Sequence, residues 1–173
     1  AILLLQNKQY SGKEYLKLTL LTAKEYYFTD LSVIALRMLR YQSSFSGSKK
    51  QFYKYDQELK FALKQLEAEL FSEELNQLII LEVVRSMAKK DELATITQKY
   101  YKQLQETVNE YDTYTTRLSM YRVGLRYFES ADNFKAALAL AEECENYLKS
   151  NPHLIQKVRL GEMNLHKLNG CLH

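Results

Sequence analysis

Histidine, cysteine and glutamate are the residue types in this chain that could hold a metal ion or move a proton. His166, Cys171 and His173 lie close together in the sequence. Imidazole and thiolate groups bind zinc, but a zinc site needs three or four ligands, and no second close pair accompanies these residues. We therefore interpret His166 as an ordinary helix histidine and Cys171 as a small buried thiol. The sequence predicts no metal site.

A second candidate is a cluster of carboxylates formed by Glu142, Glu143 and Glu145. Paired carboxylates serve in general acid-base catalysis. Here Glu142 and Glu145 fall on the polar side of a helix whose other side carries alanine and cysteine, so a solvated face is the simpler interpretation. The sequence also contains no glycine-rich phosphate loop after a strand and no serine in a nucleophile-elbow pattern. These observations indicate a non-enzymatic protein without a cofactor.

Tyrosines alternate with lysines in two stretches, KKQFYKYDQELK at 49–60 and QKYYKQ at 98–103. Such a pattern could stack nucleic-acid bases. Adjacent tyrosines on a helix cannot both face one groove, however, and the net charge of +3 is small for a nucleic-acid binder. We expect the aromatic rings to fill gaps between helices while their hydroxyls reach the surface. No nucleic-acid partner is predicted.

The elements that must position all these residues are helices. Apolar residues recur at helical spacing, and no stretch alternates as a strand does. Helix starts are predicted at eight capping residues: Ser11, Asp30, Ser48, Ser72, Asp91, Asp112, Asn133 and Asn151. Two of them, Ser11 and Ser48, have a Glu or Gln three residues later, as in the capping box, and Asn151 is followed by a proline. We predict an all-α fold of about nine helices, at about residues 1 to 8, 11 to 28, 30 to 42, 49 to 71, 73 to 89, 91 to 110, 112 to 131, 133 to 150 and 152 to 168.

Two glycines, Gly124 and Gly161, lie inside predicted helices in matched positions. A glycine within a helix costs roughly 1 kcal/mol relative to alanine, so we expect both to mark close contacts between helices. If alternate helices are called A and B, the turns from A to B fall near residues 9, 46, 90, 132 and 169, roughly 37 to 44 residues apart. Repeated helical hairpins of this kind are typical of a solenoid.

The best-marked repeat covers residues 117–152. Its small residue in helix A, the aromatic residue three positions later, the alanines in helix B and the proline near the end of the unit are Gly124, Tyr127, Ala137, Ala141 and Pro152. This pattern resembles the tetratricopeptide repeat. The likeness is partial for residues 155–172, where Leu160 and Gly161 match but Asn164 replaces the aromatic residue, and it is weak elsewhere. The resemblance implies antiparallel hairpins stacked as a right-handed α-solenoid, with residues 1–173 as one helical-repeat domain.

In that family the A helices line a concave groove that grips extended peptides, and an arginine two residues before the small position can hold a carboxylate. All seven arginines fall on predicted A helices, and Arg122 and Arg159 occupy the matching position. The resemblance thus implies a scaffold that binds a protein or peptide with acidic groups. The candidate contact residues are Arg85, Tyr121, Arg122, Leu125, Arg126 and Arg159. The alternative is a ligand- or peptide-sensing regulatory domain attached to an effector domain.

The arginines also have a simpler interpretation as surface ion pairs. Arg126 with Glu129 and Arg159 with Glu162 are spaced three residues apart, so each pair can form on its own helix. Arg122 lacks such a partner on its C-terminal side. Arg122 is therefore the stronger binding candidate.

Composition bounds the remaining possibilities. A chain of 173 residues that is 46% hydrophobic can form a substantial core. No apolar run approaches the roughly 18 residues that span a bilayer, so no membrane insertion is predicted. Two cysteines do not make a disulfide framework, and we expect a reducing, cytoplasmic setting.

Two features predict further packing partners. The stretch ELNQLIILEVVRSM at 74–87 is apolar nearly all round between Leu78 and Val84, so we expect it to be sandwiched between neighbours. At the ends, residues 1–8 resemble the last turns of a helix, and residues 155–168 carry an apolar stripe that no following helix covers. We expect the chain to be a piece of a longer protein, or its terminal helices to pack against another copy.

Overall fold

The computed structural model describes residues 9–85 and 90–155, and this part of the chain is helical apart from short turns. It contains six helices of 17 to 37 residues and a four-residue segment, with no strand in these two ranges. The elements are α1 (Gln9–Glu25), α2 (Thr29–Phe45), α3 (Lys49–Arg85), α4 (Lys90–Glu110), α5 (Tyr114–Ser130), α6 (Phe134–Ser150) and α7 (Pro152–Ile155). The predicted all-α class is confirmed. None of these helices has the length and apolar character needed to cross a membrane.

Helix α3 replaces two predicted helices. The sequence predicts a boundary at Ser72, but the helix runs unbroken through it for 37 residues, or about 55 Å at 1.5 Å per residue. Ser72 is fully buried, and its hydroxyl donates to the carbonyl oxygen of Ala68 at 2.7 Å. The group expected to cap a new helix is instead satisfied inside the existing one. The predicted boundary is therefore wrong.

The second half of α3 is also less covered than its apolar sequence predicts. Leu75 and Ile79 are buried, but Ile80 and Leu81 are 60% and 51% exposed. The expectation that this stretch is sandwiched between neighbours is wrong. Within residues 74–83, Leu75 and Ile79 enter the core, whereas Ile80, Leu81 and Val83 are exposed.

Caps differ from prediction by a residue or two at several helices. Asn133 caps α6 as predicted, since its side-chain oxygen accepts from the Ala136 amide at 3.2 Å. At α5 the cap is Thr113 rather than Asp112. Thr113 and Thr116 form a reciprocal capping box, in which each hydroxyl oxygen accepts from the other residue's amide, at 3.0 and 3.3 Å. This frees the Asp112 carboxylate for a different role.

Three other predicted caps lie within helices. Phe28 is the N-cap of α2, and Asp30 lies in the first turn, where its carboxylate interacts favourably with the helix dipole. Ser11 and Asp91 are internal because α1 and α4 are already helical one or two residues before them. The starts after Ser48 and Asn151 agree with the sequence.

The helices α1, α2 and α5 all end in the same turn. In each, a residue with positive φ follows the helix, and the next amide donates to the carbonyl five residues earlier, as in the Schellman motif. The positive-φ residues are Tyr27, Gly47 and Asp132, and the returning bonds are 2.8 to 3.2 Å long. The next helix begins at once and runs antiparallel to the one before it. The turns predicted near residues 46 and 132 are confirmed, whereas residue 9 is helical.

The contacts divide the chain within α3 into two units, Ala1–Glu67 and Ala68–His173. In unit 1, hydrogen bonds join Lys13 to Gln51 and Lys24 to Glu58, so α1 and the first part of α3 run parallel. Helix α2 packs against them with Leu36 and Leu39, each 1% exposed. The full core cluster of unit 1 is Leu20, Val33, Ala35, Leu36, Leu39, Tyr55, Leu59 and Ala62.

In unit 2, α5 packs between α4 and α6. The Thr97 and Ser130 hydroxyl oxygens lie 3.5 Å apart, and the Tyr101 and Tyr127 rings are stacked, so residue numbers rise on α4 as they fall on α5. The same antiparallel order holds between α5 and α6. Helices α4, α5 and α6 of unit 2 therefore have the up-down-up order of the three helices of unit 1, with α5 at the centre.

Candidate functional site

Gly124 lies where α5 comes closest to both neighbouring helices. A Cβ atom placed on it would lie 2.6 Å from Cδ2 of Leu140 on α6 and 2.6 Å from Cε2 of Tyr101 on α4. Carbon atoms do not approach so closely, so any larger residue must displace its neighbours. This is the close contact that the sequence predicts at Gly124. Gly161 lies outside the described residues.

The other predicted packing residues surround this contact. The Tyr127 ring stacks on Tyr101 with 6.1 Å between centroids, and its hydroxyl accepts from the Gln98 side-chain amide at 3.1 Å. On α6, Ala137 is half-buried and Ala141 is buried. The small residues and aromatic rings thus fit together on both sides of α5.

In the first turn of α5, the guanidinium of Arg117 contacts both Asp112 and Tyr147. Its guanidinium donates two hydrogen bonds to the Asp112 carboxylate, one of 2.8 Å from Nε to Oδ1 and one from Nη2 to Oδ2. The same guanidinium lies 5.0 Å from the centre of the Tyr147 ring on α6. The hydrogen bond to Asp112 raises the pKa of Arg117, with a smaller contribution from Tyr121. Sequence reasoning missed this pair because Asp112 was expected to cap the helix.

Tyr121, one turn further along α5, faces the packed interior. It is 1% exposed, and its hydroxyl donates to Glu143 Oε1 at 3.0 Å. Burial, with smaller contributions from Glu143, raises the pKa of Tyr121 to about 12. Tyr121, which was predicted to bind a partner, therefore lies in the packed interface between α5 and α6 rather than on the surface.

Cys144 on α6 is buried nearby and is a free thiol. Burial raises the pKa of Cys144 to about 11, and the charge of Arg122 only partly opposes that shift. A thiol with so high a pKa stays protonated near neutral pH and is a poor nucleophile. Cys144 therefore serves as a packing residue in the interface between α5 and α6, and its thiol is not an activated nucleophile.

Arg122 differs from Arg117 in having no partner of its own. It is half-buried, and within residues 9–85 and 90–155 its guanidinium makes no hydrogen bond or ion pair. Its charge is near enough to the Tyr114 hydroxyl to oppose the rise in pKa that burial causes there. A half-buried guanidinium without a partner is an effective site for a carboxylate, because its planar fork takes two hydrogen bonds at once.

Leu125 and Arg126 continue the face of Arg122, since residues three and four apart on a helix are neighbours. Leu125 is half-buried and Arg126 is exposed. The ion pair that the spacing allows between Arg126 and Glu129 does not form within the described part of the chain. The structure thus brings Arg122, Leu125 and Arg126 together on one surface, which we call the Arg122 face. The side chain of Arg85 and all of Arg159 lie outside the described residues.

The three clustered glutamates are separated by their environments. Glu142 is exposed, Glu145 pairs with Lys149 at 2.6 Å, and Glu143 accepts from Tyr121. In the described ranges, no three His, Cys, Asp or Glu side chains come together as metal ligands. His166, Cys171 and His173 lie outside these ranges.

The chain was also compared with known proteins by family, by sequence and by structure. No protein-family model, no curated protein and no solved structure matches it.

Proposed function

We propose that this chain is a non-enzymatic scaffold that binds an acidic protein or peptide, and that the Arg122 face of unit 2 supplies the contact. The observation that carries the proposal is the state of Arg122, which is half-buried and without a partner among the described residues. A carboxylate from a partner would complete its hydrogen bonds with charge-assisted contacts, which are roughly twice as strong as neutral ones. Leu125 would add apolar contact beside it.

The contrast with Arg117 supports this assignment. Arg117 is bound by Asp112 and lies over Tyr147, so its donors are already engaged. Arg122, five residues later on the same helix, is half-buried and makes no hydrogen bond or ion pair with any residue that the structure describes, so its donors are available to a partner. Residues on a rigid helix lose little conformational freedom when they bind, which favours affinity.

We also propose that the helices form tetratricopeptide-like repeats of a solenoid. Three Schellman turns of matching geometry support this proposal, as does the up-down-up order within each unit. The unbroken α3 means that one predicted hairpin is replaced by a single long helix. In such an array α5 belongs to the A helices, whose side chains would line a concave surface.

The experiment is a binding assay on an array of short peptides rich in Asp and Glu, at low salt, with charge reversal of Arg122. We expect Arg122→Glu to weaken binding to the captured sequences at least about tenfold, which corresponds to about 1.4 kcal/mol. Raising the salt should weaken the wild-type interaction, since the contact is largely electrostatic. The unfolding free energy should change by less than about 0.5 kcal/mol, because the substitution removes no hydrogen bond or ion pair among the residues that the structure describes.

Arg37→Glu is the matched control, because Arg37 is an exposed arginine of unit 1 and the substitution makes the same change in net charge. We expect Arg37→Glu to bind as the wild type does. Equal weakening by both reversals would show a general charge effect and no specific face. Unchanged binding by Arg122→Glu would remove Arg122 from the interface.

A further inference from the structure

Unit 1 contains a cavity of about 510 Å³ between α1, α2 and the first part of α3. This volume falls within the roughly 300 to 1,000 Å³ typical of small-molecule sites. The cavity is distinct from the Arg122 face, which belongs to unit 2. Its walls come from three helices that the unit 1 core holds together, so its shape is fixed by packing.

One side of the cavity is apolar. Leu36 is 1% exposed, Ala23 and Ala62 are buried, and Phe61, which is 55% exposed, also lines the cavity. Small alanine side chains on two facing helices leave room that a larger residue would fill. An apolar ligand body would displace water from this surface, which is the main driving force for binding in such sites.

The other side offers uncharged hydrogen-bonding groups. Ser32 lines the cavity and is only 5% exposed, and its hydroxyl makes no hydrogen bond to any residue that the structure describes. This hydroxyl is therefore available to donate to, or accept from, a molecule inside the cavity. Gln57 and Gln65 lie one turn before and one turn after Phe61 on α3 and add amide groups that both donate and accept.

The charged residues at the cavity neutralise each other. Lys24 Nζ lies 2.6 Å from Glu58 Oε2, and both residues line the opening. Lys54 is 4.0 Å from the other oxygen of Glu58. A charged ligand would gain no unpaired counter-charge here and would lose its own hydration.

We propose that this cavity binds an uncharged small molecule with an aromatic or branched aliphatic body and a hydroxyl or amide group that pairs with Ser32. The apolar wall takes the body, and the hydroxyl of Ser32 with the amides of Gln57 and Gln65 orients the polar group.

The test uses saturation-transfer NMR with four probes that share one body: p-cresol, toluene, 4-methylbenzoate and 4-methylbenzylamine. We expect p-cresol to bind at concentrations below about 10 mM and to bind at least about fivefold more tightly than either charged probe. Ser32→Ala should weaken p-cresol binding about fivefold and leave toluene binding unchanged, because only p-cresol has a hydroxyl to lose. Far-UV circular dichroism checks that each variant is folded.

A pair of tryptophan substitutions on α3 locates the site. Gln57→Trp places a bulky ring at the cavity opening, whereas Leu63→Trp places it on the opposite, exposed face of the same helix. We expect Gln57→Trp to abolish p-cresol binding and Leu63→Trp to preserve it. The proposal is overturned by the absence of p-cresol binding, by equal binding of the charged probes, by equal effects of the two tryptophans, or by a Ser32→Ala effect that is the same for toluene and p-cresol.

Discussion

The three helices of unit 1 and helices α4, α5 and α6 of unit 2 have the same up-down-up order but pack differently at their centres. In each, two outer helices run parallel, and a central antiparallel helix, α2 or α5, joins at least one of them through a Schellman turn. The central helix of unit 1 presents Ala35, Leu36 and Leu39 to the core, and that of unit 2 presents Gly124 to the Tyr101 ring. The aliphatic packing of unit 1 leaves a cavity at one side, whereas the glycine of unit 2 lets its neighbours close in.

The comparison supports proposing two kinds of binding site on one arrangement of helices. In unit 1, Ala23 and Ala62 line the proposed small-molecule site. In unit 2, Gly124 allows α5 to pack closely against Leu140 and Tyr101, and the proposed Arg122 site lies on the same helix. We therefore propose that the side chains at the centre of each unit favour an internal site in unit 1 and an external site in unit 2.

The largest effect should come from interrupting α3, the helix that passes through the division between the units. Glu73 is exposed, and a proline there would remove a backbone hydrogen bond and clash with the preceding turn. We expect Glu73→Pro to cost about 3 kcal/mol or more of unfolding free energy in urea denaturation. Glu73→Ala, the control, should be nearly neutral. If a helix instead began after Ser72, proline would occupy its first position and be tolerated.

The next largest loss of stability should come from filling the space at Gly124, the glycine at the centre of α5. Leucine there would overlap Leu140 and Tyr101, and we expect a loss on the order of 1 to 3 kcal/mol by chemical denaturation. Even Gly124→Ala should destabilise, despite a gain in helix propensity of roughly 1 kcal/mol. Asn146→Ala, on an exposed position of α6, supplies the propensity gain without the overlap and should stabilise. A stabilising Gly124→Ala would contradict the close contact.

Unit 2 should also be the more sensitive unit at alkaline pH. The pKa of Tyr121 is raised to about 12 from an ordinary value of about 10, chiefly by burial. The folded state therefore holds this proton more tightly than the unfolded state, so the stability it contributes is present below about pH 10 and is lost as the pH rises through about 12. Burial raises the pKa values of Tyr101 and Cys144 in the same direction.

The measurement is the urea midpoint followed upward from neutral pH. Tyr121→Phe should flatten its alkaline decline, because phenylalanine has no proton to lose. Tyr53→Phe is the control, since Tyr53 is exposed and should leave the decline as it is. Parallel pH profiles for Tyr121→Phe and the wild type would show that Tyr121 does not titrate differently in the folded state.

The sequence predicted these features unequally, for physical reasons. Gly124 and the turns near residues 46 and 132 were found because glycine inside a helix and breaks in helical spacing are local signals. The continuity of α3 was missed because a serine can either cap a helix or bond back within one, and burial against other helices decided the matter at Ser72. The Asp112–Arg117 pair was missed because Asp112 was expected to cap α5. The cavity depends on tertiary contacts, which leave no local pattern.

The smallest effect concerns the turns that the two units share. Gly47 and Asp132 occupy the same position of the Schellman motif, with φ of 66° and 55°. A Cβ on Gly47 would meet no atom within 4 Å, so substitution there tests backbone conformation alone. We expect Gly47→Ala to cost about 1 kcal/mol, because a left-handed residue with a Cβ atom is strained by roughly 1 to 2 kcal/mol. Gly47→Asp should cost about half as much, since aspartate adopts this conformation more readily, as Asp132 does. Urea midpoints for the two variants provide the measurement, and equal losses would mean that the side-chain oxygen gives aspartate no advantage in this turn.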